Sequence, residues 1–426
     1  MTDAMAGNEE SASPHSVGVD AVRGSEKNPL PVLLVLTSTF PRWTGDSEPR
    51  FVYDLCLHLR THFRVEVLAP HTPGSRETEC MEEIQVTRFR YAPSALEKLA
   101  YEGGIGSKLK LHKRYWLLVP LFVLGQWRAI RALLKKHPVA AIHAHWLIPQ
   151  GALACVQSAR PPVLCTSHGG DLFGMNDPLS TLLKRWTVRN ADVVAVVSSA
   201  MTEKVDALSG GRAVNVPVMP MGADLSACFV PDRTVKRRRA RLLFVGRLVE
   251  KKGLTHLIHA MSSIVERHPD ASLHIAGSGP EQNSLSQLVG HLGLEEQVTF
   301  LGRRSHQELV RLYQESAVAV FPFIQAGDGD MEGLGLVMLE AMGCECPVIA
   351  SDLPAIRDVI DNGKTGLMAE PGNPESLAKQ VDILLSSPDR LKDIGRSGRE
   401  YAFNNYDWKV SAARYEQLFG ELMKQS

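Results

Sequence analysis

Two carboxylates eight residues apart frame a glycine-rich stretch in Met331-Glu332-Gly333-Leu334-Gly335-Leu336-Val337-Met338-Leu339-Glu340-Ala341-Met342. A helix starting near Gly335 leaves its first backbone N–H groups unpaired, and such a terminus favours an anion, above all a phosphate. Glu332 then stands at the mouth of the loop. Glu340, about two turns further at ~1.5 Å per residue, meets another part of the same elongated ligand. Carboxylates only accept hydrogen bonds, so the pair suits a molecule with hydroxyls on both sides of a diphosphate, a sugar nucleotide. Two solvated glutamates on a surface helix would show the same spacing.

Other loops add charge to this picture. Gly246-Arg247-Leu248-Val249-Glu250-Lys251-Lys252-Gly253 lacks the spacing of a P-loop but supplies Arg247, a planar fork for phosphate oxygens, and Lys252, a mobile point charge. Gly277-Ser278-Gly279-Pro280-Glu281 closes the next strand with glycines expected to let a ligand approach the backbone. Ser167-His168-Gly169-Gly170-Asp171 places an imidazole beside two glycines, and a structural hydrogen-bonding role is the bland alternative. Two features imitate metal sites. His143-Ala144-His145 is expected to point its two rings to opposite faces of a strand, and Asp328-Gly329-Asp330 lies in a loop that already offers cations to a diphosphate, so no metal is expected.

These loops need strands to carry them. Short apolar runs at 31–36, 65–68, 140–143, 163–166 and 193–197 alternate with helical periodicity, and a second series follows at 241–245, 272–276, 297–300, 318–321 and 347–350. The pattern predicts an α/β chain of two doubly wound, Rossmann-like parallel-sheet domains facing a central cleft. The expected division is a disordered tail at 1–28, a first domain at 29–225, a linker at 226–240 holding Lys236-Arg-Arg-Arg239, a second domain at 241–402, and a helix at about 403–426 packing back on the first. The linker's basic cluster has no aromatic residues interleaved with it, which speaks against a nucleic-acid surface.

Acidic and basic residues balance at 47 each, so no overall field draws the chain to nucleic acid. Seven scattered cysteines without a C-x-x-C pair suit a reducing compartment, and Cys344-Glu345-Cys346 reads as structural. The tail has no apolar block of the signal-peptide kind, so a cytoplasmic location is expected. Trp116 to Leu124 is too short to span a bilayer and contains Pro120. With Lys108-Leu-Lys-Leu-His-Lys-Arg-Tyr before it, the segment 108–124 suits either peripheral contact with an anionic membrane or an ordinary helix packed on the sheet.

Together these pieces resemble glycosyltransferase family 4, the retaining glycosyltransferases of GT-B architecture, from about Leu33 to Asn405. The matching segments, in order, are Thr37-Ser-Thr-Phe-Pro-Arg42 with Gly45-Asp46, His143-Ala-His-Trp146, Ser167-His-Gly-Gly-Asp171, Pro220-Met-Gly-Ala-Asp224, Phe244-Val-Gly-Arg247 with Lys252-Gly253, Ile275-Ala-Gly-Ser-Gly-Pro280, Glu332 to Glu340, and Asp361-Asn-Gly-Lys-Thr-Gly-Leu367. The resemblance implies that Arg247 and Lys252 hold the donor diphosphate, Glu332 the hydroxyls of the transferred sugar, Glu340 the ribose, and that His168 contacts the donor sugar near the reacting centre. It implies further donor contacts at Gly246, Gly277, Gly279, Arg303, Gly333, Leu334, Gly335 and Leu336, an acceptor-side loop at Gly45 and Asp46, and no metal. Departures from the pattern are Gly45-Asp-Ser-Glu-Pro-Arg50 in place of a double-glycine loop, Glu345 where a small residue is common, and Asp358 where glutamate is.

The activity implied is transfer of a hexose from a uridine or guanosine diphosphate sugar to a glycan or lipid-linked acceptor, in polysaccharide or glycolipid synthesis, with no cofactor. A sugar-nucleotide epimerase of similar two-domain fold and a catalytically silent sugar-nucleotide binder are the competing readings.

Overall fold

The computed structural model describes residues 30–46, 48–101, 104–212 and 214–424. The tail assigned to 1–28 lies outside them. Within the unit Pro31–Ser426 the chain builds two sheets.

The first sheet is formed by β1 (Val32–Leu36), β2 (Arg64–Pro70), β3 (Thr78–Met81), β4 (Ile84–Phe89), β5 (Val139–His145), β6 (Val163–Ser167) and β7 (Val193–Val196), in the order β3-β4-β2-β1-β5-β6-β7. The second contains β8 (Arg241–Val245), β9 (Ser272–Ala276), β10 (Val298–Gly302), β11 (Val318–Phe321), β12 (Val348–Ser351) and β13 (Leu367–Ala369), ordered β10-β9-β8-β11-β12-β13. All pairings are parallel except β3 with β4. The central strands carry unbroken apolar runs such as Val-Leu-Leu-Val-Leu, buried on both faces because helices cover each sheet on both sides. Their C-terminal ends release the loops that carry the charged residues, as the doubly wound arrangement requires.

The sequence reading missed β3, β4 and β13. Met81 pairs with Ile84, so Glu82 and Glu83 alone make the β3–β4 turn, with φ of 47° and 71°. Such a turn needs two left-handed residues and is normally announced by Asn-Gly. A Glu-Glu pair gives no such signal.

The C-terminal segment also differs from expectation. In place of one helix over about 403–426 there are two, Pro388–Tyr406 and Trp408–Lys424, broken at Asp407. The Asp407 carboxylate accepts from the Leu225 N–H at 3.2 Å, and the second helix lies on the first sheet, where Phe419 meets Phe63 with ring centroids 5.6 Å apart. Asp358, one of the departures noted above, joins the two halves: its carboxylate accepts from the Ser199 N–H at 2.6 Å and from the Ser199 hydroxyl at 2.5 Å. In the basic segment before β8, Arg237 spends its guanidinium on the carbonyls of Tyr313, Ser316 and Cys344.

The stretch Lys113–Lys136 is helical over 24 residues and contains an 18-residue window of mean hydropathy 1.5, long and apolar enough to cross a membrane, contrary to the shorter count from sequence. Phe122, Gln126, Ile130 and Leu133 nonetheless pack inward, and Phe122 sits 5.0 Å from Phe89 of β4, so one face of this helix belongs to the core. At its start Trp116, Leu117, Leu121 and Leu124 are exposed, Leu117 by 79%, beside exposed Lys113 and Arg114.

Candidate active site

The cleft is lined by loops from the C-terminal ends of both sheets. From the second sheet, the loop after β11 leads into a helix at Leu336–Gly343, with Gly335 at φ 81° immediately before it. Only a residue without a Cβ takes that left-handed turn at no cost, and Met338 fills the space where a side chain would go. The N–H groups of Gly335, Leu336 and Val337 have no hydrogen-bond partner among the described residues, so the helix opens as an anion-ready terminus. Leu334 is buried beneath it and anchors the loop.

Lys252 and Glu332, eighty positions apart in sequence, touch with Nζ 2.5 Å from Oε2. The ammonium also lies 4.6 Å from the centre of the Phe323 ring, a cation–π contact that steadies it over an apolar floor. Burial by itself raises the Glu332 pKa, but the charges of Lys252 and Lys251 prevail and hold it below the usual value, so Glu332 is ionised at neutral pH. Lys251 in turn binds Asp330 at 3.1 Å, which places the second carboxylate of the Asp-Gly-Asp triplet on a lysine. Arg247 is exposed to solvent at the loop tip; desolvation by the protein around it nonetheless lowers its pKa, Arg303 adds to the fall, and the carboxylates of Glu48 and Asp330 oppose it. Glu48 belongs to the loop after β1, so a first-sheet carboxylate faces the second-sheet cation. Arg303 donates from Nε to the Ser278 hydroxyl at 2.8 Å, at the edge of the same loops.

Glu340 sits on the helix Leu336–Gly343, past the loop that carries Glu332. Burial raises its pKa to about 7, Asp54 adds to the rise, and the hydrogen bond from the Tyr313 hydroxyl at 3.0 Å opposes it. Tyr313 and Phe323 went unnoticed in the sequence. Neither belongs to a motif, and each meets its partner only through the sheet's crossovers.

The glycines act differently from expectation. A Cβ on Gly277 would collide with the carbonyl oxygen of Gly246, and one on Gly279 with that of Leu248. These residues let neighbouring loop backbones pack against each other, and the space they leave is filled by protein. Gly246 lies against the Phe244 ring and the Lys252 stem, so it bears directly on where the ammonium sits.

From the first sheet, His168 is set at the end of β6 by Asp171, which accepts from the His168 N–H at 3.2 Å, the Ser167 hydroxyl at 2.8 Å and the Leu147 N–H at 2.7 Å. Its ring packs against Phe51 at 4.9 Å and Trp146 at 5.1 Å. Its carbonyl oxygen borders Gly333, so the histidine loop and the Glu332 loop are in contact. The reading of His143 and His145 as facing opposite ways is wrong: residues two apart on a strand share a face, and the rings lie 4.1 Å apart. Asp46 is also spent inside its own loop. Arg42 grips it bidentately at 2.8 and 2.7 Å, which leaves Gly45, at φ 82° with open space around it, as the tip of a braced turn.

Comparison with known proteins agrees with this fold. The model of the family described as glycosyl transferases group 1 matches residues 231–401, and that of glycosyltransferase family 4 matches 49–227. A GDP-mannose-dependent alpha-(1-6)-phosphatidylinositol monomannoside mannosyltransferase of Mycobacterium tuberculosis is 32% identical over 301 residues, covering 67% of this chain and 77% of the relative. The enzyme of the same name from Mycolicibacterium smegmatis is 27% identical over 402 residues, 91% of this chain and 97% of the relative. A glycogen synthase of M. tuberculosis is 28% identical over 65% of this chain and 68% of its own length. Among solved structures, a sucrose-phosphate synthase from Thermosynechococcus elongatus superposes with a TM-score of 0.76 at 23% identity, covering 93% of this chain and all of that one. Anabaena Alr3699/HepE, solved with UDP and glucose, gives 0.69 at 19% identity over 92% of this chain and 99% of its own.

Proposed function

The chain belongs to the glycosyl transferases of group 1, and on that premise we propose that it transfers a hexose, with retention of configuration and without a metal ion, from a uridine or guanosine diphosphate sugar to a glycan or lipid-linked acceptor. The observation that carries this reading is the contact of Lys252 with Glu332 beside an unpaired helix terminus. It sets one positive and one negative group where the diphosphate and the sugar of a single donor would lie. An arriving donor exchanges partners: its phosphate oxygens take over Lys252, and its sugar hydroxyls donate to the freed Glu332.

As the sugar–phosphate bond breaks, the sugar carbon gains oxocarbenium character and negative charge grows on the departing diphosphate. Arg247, Lys252 and the N–H groups at Gly335–Val337 are preorganised for that charge, the arrangement from which an electrostatic site gains most. They fill the place a divalent cation would otherwise take. Retention follows if the acceptor hydroxyl attacks from the face the diphosphate leaves, giving its proton to the departing phosphate oxygen. Glu340 takes the ribose hydroxyls and His168 an oxygen of the transferred sugar.

The exposed apolar start of the Lys113–Lys136 helix, flanked by Lys113 and Arg114, supports peripheral docking on the anionic cytoplasmic face of a membrane, where a lipid-linked acceptor would be found. The mannosyltransferases reported above are named for a phosphatidylinositol-based acceptor, which favours the same class here. The deciding experiment supplies UDP- and GDP-hexoses with and without a lipid extract as acceptor source. Acceptor-dependent release of the nucleotide, with the anomeric configuration kept and activity retained in EDTA, is expected. Conversion of the donor with no acceptor present would establish the epimerase reading in its place.

A further inference from the structure

His143 and His145 are wholly buried, and nothing in the transfer chemistry above uses them. Both project from β5 to one side, and His145 Nδ1 lies 2.9 Å from His168 Nε2. His143 Nε2 lies 2.9 Å from the Thr166 hydroxyl. The remaining nitrogens of the pair, His143 Nδ1 and His145 Nε2, are buried without a partner.

These contacts assign the protons. A buried N–H with no acceptor is rarer and costlier than an acceptor left with an empty lone pair. The two unpartnered nitrogens are therefore the bare ones, and each ring carries its hydrogen on the other side. His143 donates from Nε2 to Thr166, and Tyr415 donates to the Met219 carbonyl at 3.0 Å. His145 donates from Nδ1 to His168 Nε2. None of the rings takes a second proton near neutral pH: burial pushes His143 and His168 down to about 3 and His145 well below its usual value.

His168 Nε2, as an acceptor, is then bare, and the His168 hydrogen sits on Nδ1. That nitrogen is bonded to no group among the described residues and is not sealed from solvent.

We propose that His145 is a positioning residue that fixes His168 as the Nδ1–H tautomer, so that the ring presents a hydrogen-bond donor to the cleft and selects a sugar bearing an oxygen acceptor there. The proposal deepens the donor reading and rests on His168 meeting the transferred sugar. It also assigns His168 a fixed role as donor, in which it neither takes up nor releases a proton during the reaction.

The test combines nitrogen NMR of protein carrying 15N-histidine with kinetics of two variants, His145→Leu and His145→Asn. In the wild-type protein the His168 signals, identified by their loss in His168→Gln, are expected to show a protonated Nδ1 and a bare Nε2. His145→Leu removes the partner, so His168 is free to move its hydrogen to Nε2, and kcat/KM for the donor is expected to fall about tenfold. The amide of His145→Asn can donate to the same nitrogen and is expected to keep the Nδ1–H form and most of the rate. A protonated Nε2 on His168 in the wild type overturns the proposal, and that measurement stands even if the leucine variant does not fold. An unchanged tautomer and rate in a folded His145→Leu protein overturns it as well. If the wild-type tautomer is as assigned but His168→Gln leaves donor kinetics untouched, the donor reading fails at this residue and the proton assignment survives.

Discussion

Gly169 and Gly333 meet backbone to backbone across the cleft: a Cβ on Gly169 would lie 3.0 Å from the Gly333 Cα, and a Cβ on Gly333 would lie 2.5 Å from the carbonyl oxygen of His168. One loop carries the candidate sugar-binding histidine and the other the candidate sugar-binding glutamate, so the spacing of the two side chains depends on the absence of two methyl groups.

Gly333→Ala is therefore expected to wedge the loops apart. A displacement on the order of 1 Å between positioning groups costs about 100-fold in rate. Gly170→Ala, whose Cβ would meet nothing within 4 Å, is the matched control and should keep near-normal activity. Steady-state kinetics and the thermal midpoints of both variants check this.

The Lys252–Glu332 pair lets stability be separated from activity. In Lys252→Met the Glu332 carboxylate keeps its burial but loses its nearest cation, so its pKa rises, turnover is lost, and stability at pH 7 falls by about 2 kcal/mol, less than for a fully buried pair because both side chains retain some exposure. In the wild type the lowered pKa adds stability above the unfolded carboxylate value that is lost as pH falls through the folded one. Lys252→Met should flatten or reverse that acid limb. The double variant Lys252→Met/Glu332→Gln should recover much of the stability and none of the activity, as read from denaturant unfolding between pH 3 and 7.

Glu340 works in the other direction. Its folded pKa of about 7 is above the unfolded value near 4.5, so the native state binds the extra proton and stability declines as pH rises from about 4.5 to 7. The swing attributable to this group is on the order of 3 kcal/mol. Glu340→Gln, which can still accept from Tyr313, should remove that decline and be the more stable protein at pH 8, while binding nucleotide more weakly. Donor affinity of the wild type should increase between pH 6 and 8 as the carboxylate ionises, measurable by calorimetric titration with the nucleoside diphosphate.

Glu345 holds φ at 55°, a left-handed conformation that costs a residue with a side chain about 1 kcal/mol. Its compensation is an ion pair at 2.8 Å with Arg233, itself 80% exposed and so of small value. Glu345→Gly is expected to stabilise the protein by about 1 kcal/mol without change in turnover, checked by thermal unfolding.

Exposed Trp116 and Leu117 each bring about 1.5–3 kcal/mol of burial to a bilayer surface. Trp116→Ser with Leu117→Ser should lower partitioning onto anionic vesicles at least tenfold, as should high salt acting on Lys113 and Arg114. Co-sedimentation at two salt concentrations measures both; equal binding by wild type and variant would remove this surface from the account.

Much of this was legible from residue order alone. Apolar runs of four to six residues marked the central strands because a strand buried on both faces is mostly apolar, its few polar side chains being hydrogen-bonded inside the core. The helix beginning after Gly335 followed from its glycine and the periodicity behind it, and the segment identities Gly246-Arg247, Lys252 and Glu332 named the cleft's charged groups. Where the reading went astray, the signal was absent or misapplied: the β3–β4 turn is made by two glutamates in place of the usual Asn-Gly, and the pairing of His143 with His145 follows from strand geometry that was read the wrong way round.

Sequence alone thus settled which chemical groups are available and on which kind of element each rides, since local propensity and burial periodicity act over a few residues. Which groups touch was decided by the tertiary structure: Lys252 with Glu332, Tyr313 with Glu340, His145 with His168, Gly169 with Gly333. Those partners are separated by 23 to 164 positions in the chain. Their meeting depends on sheet order and crossover packing, which are set by burial summed over both domains and leave no mark at the residues themselves.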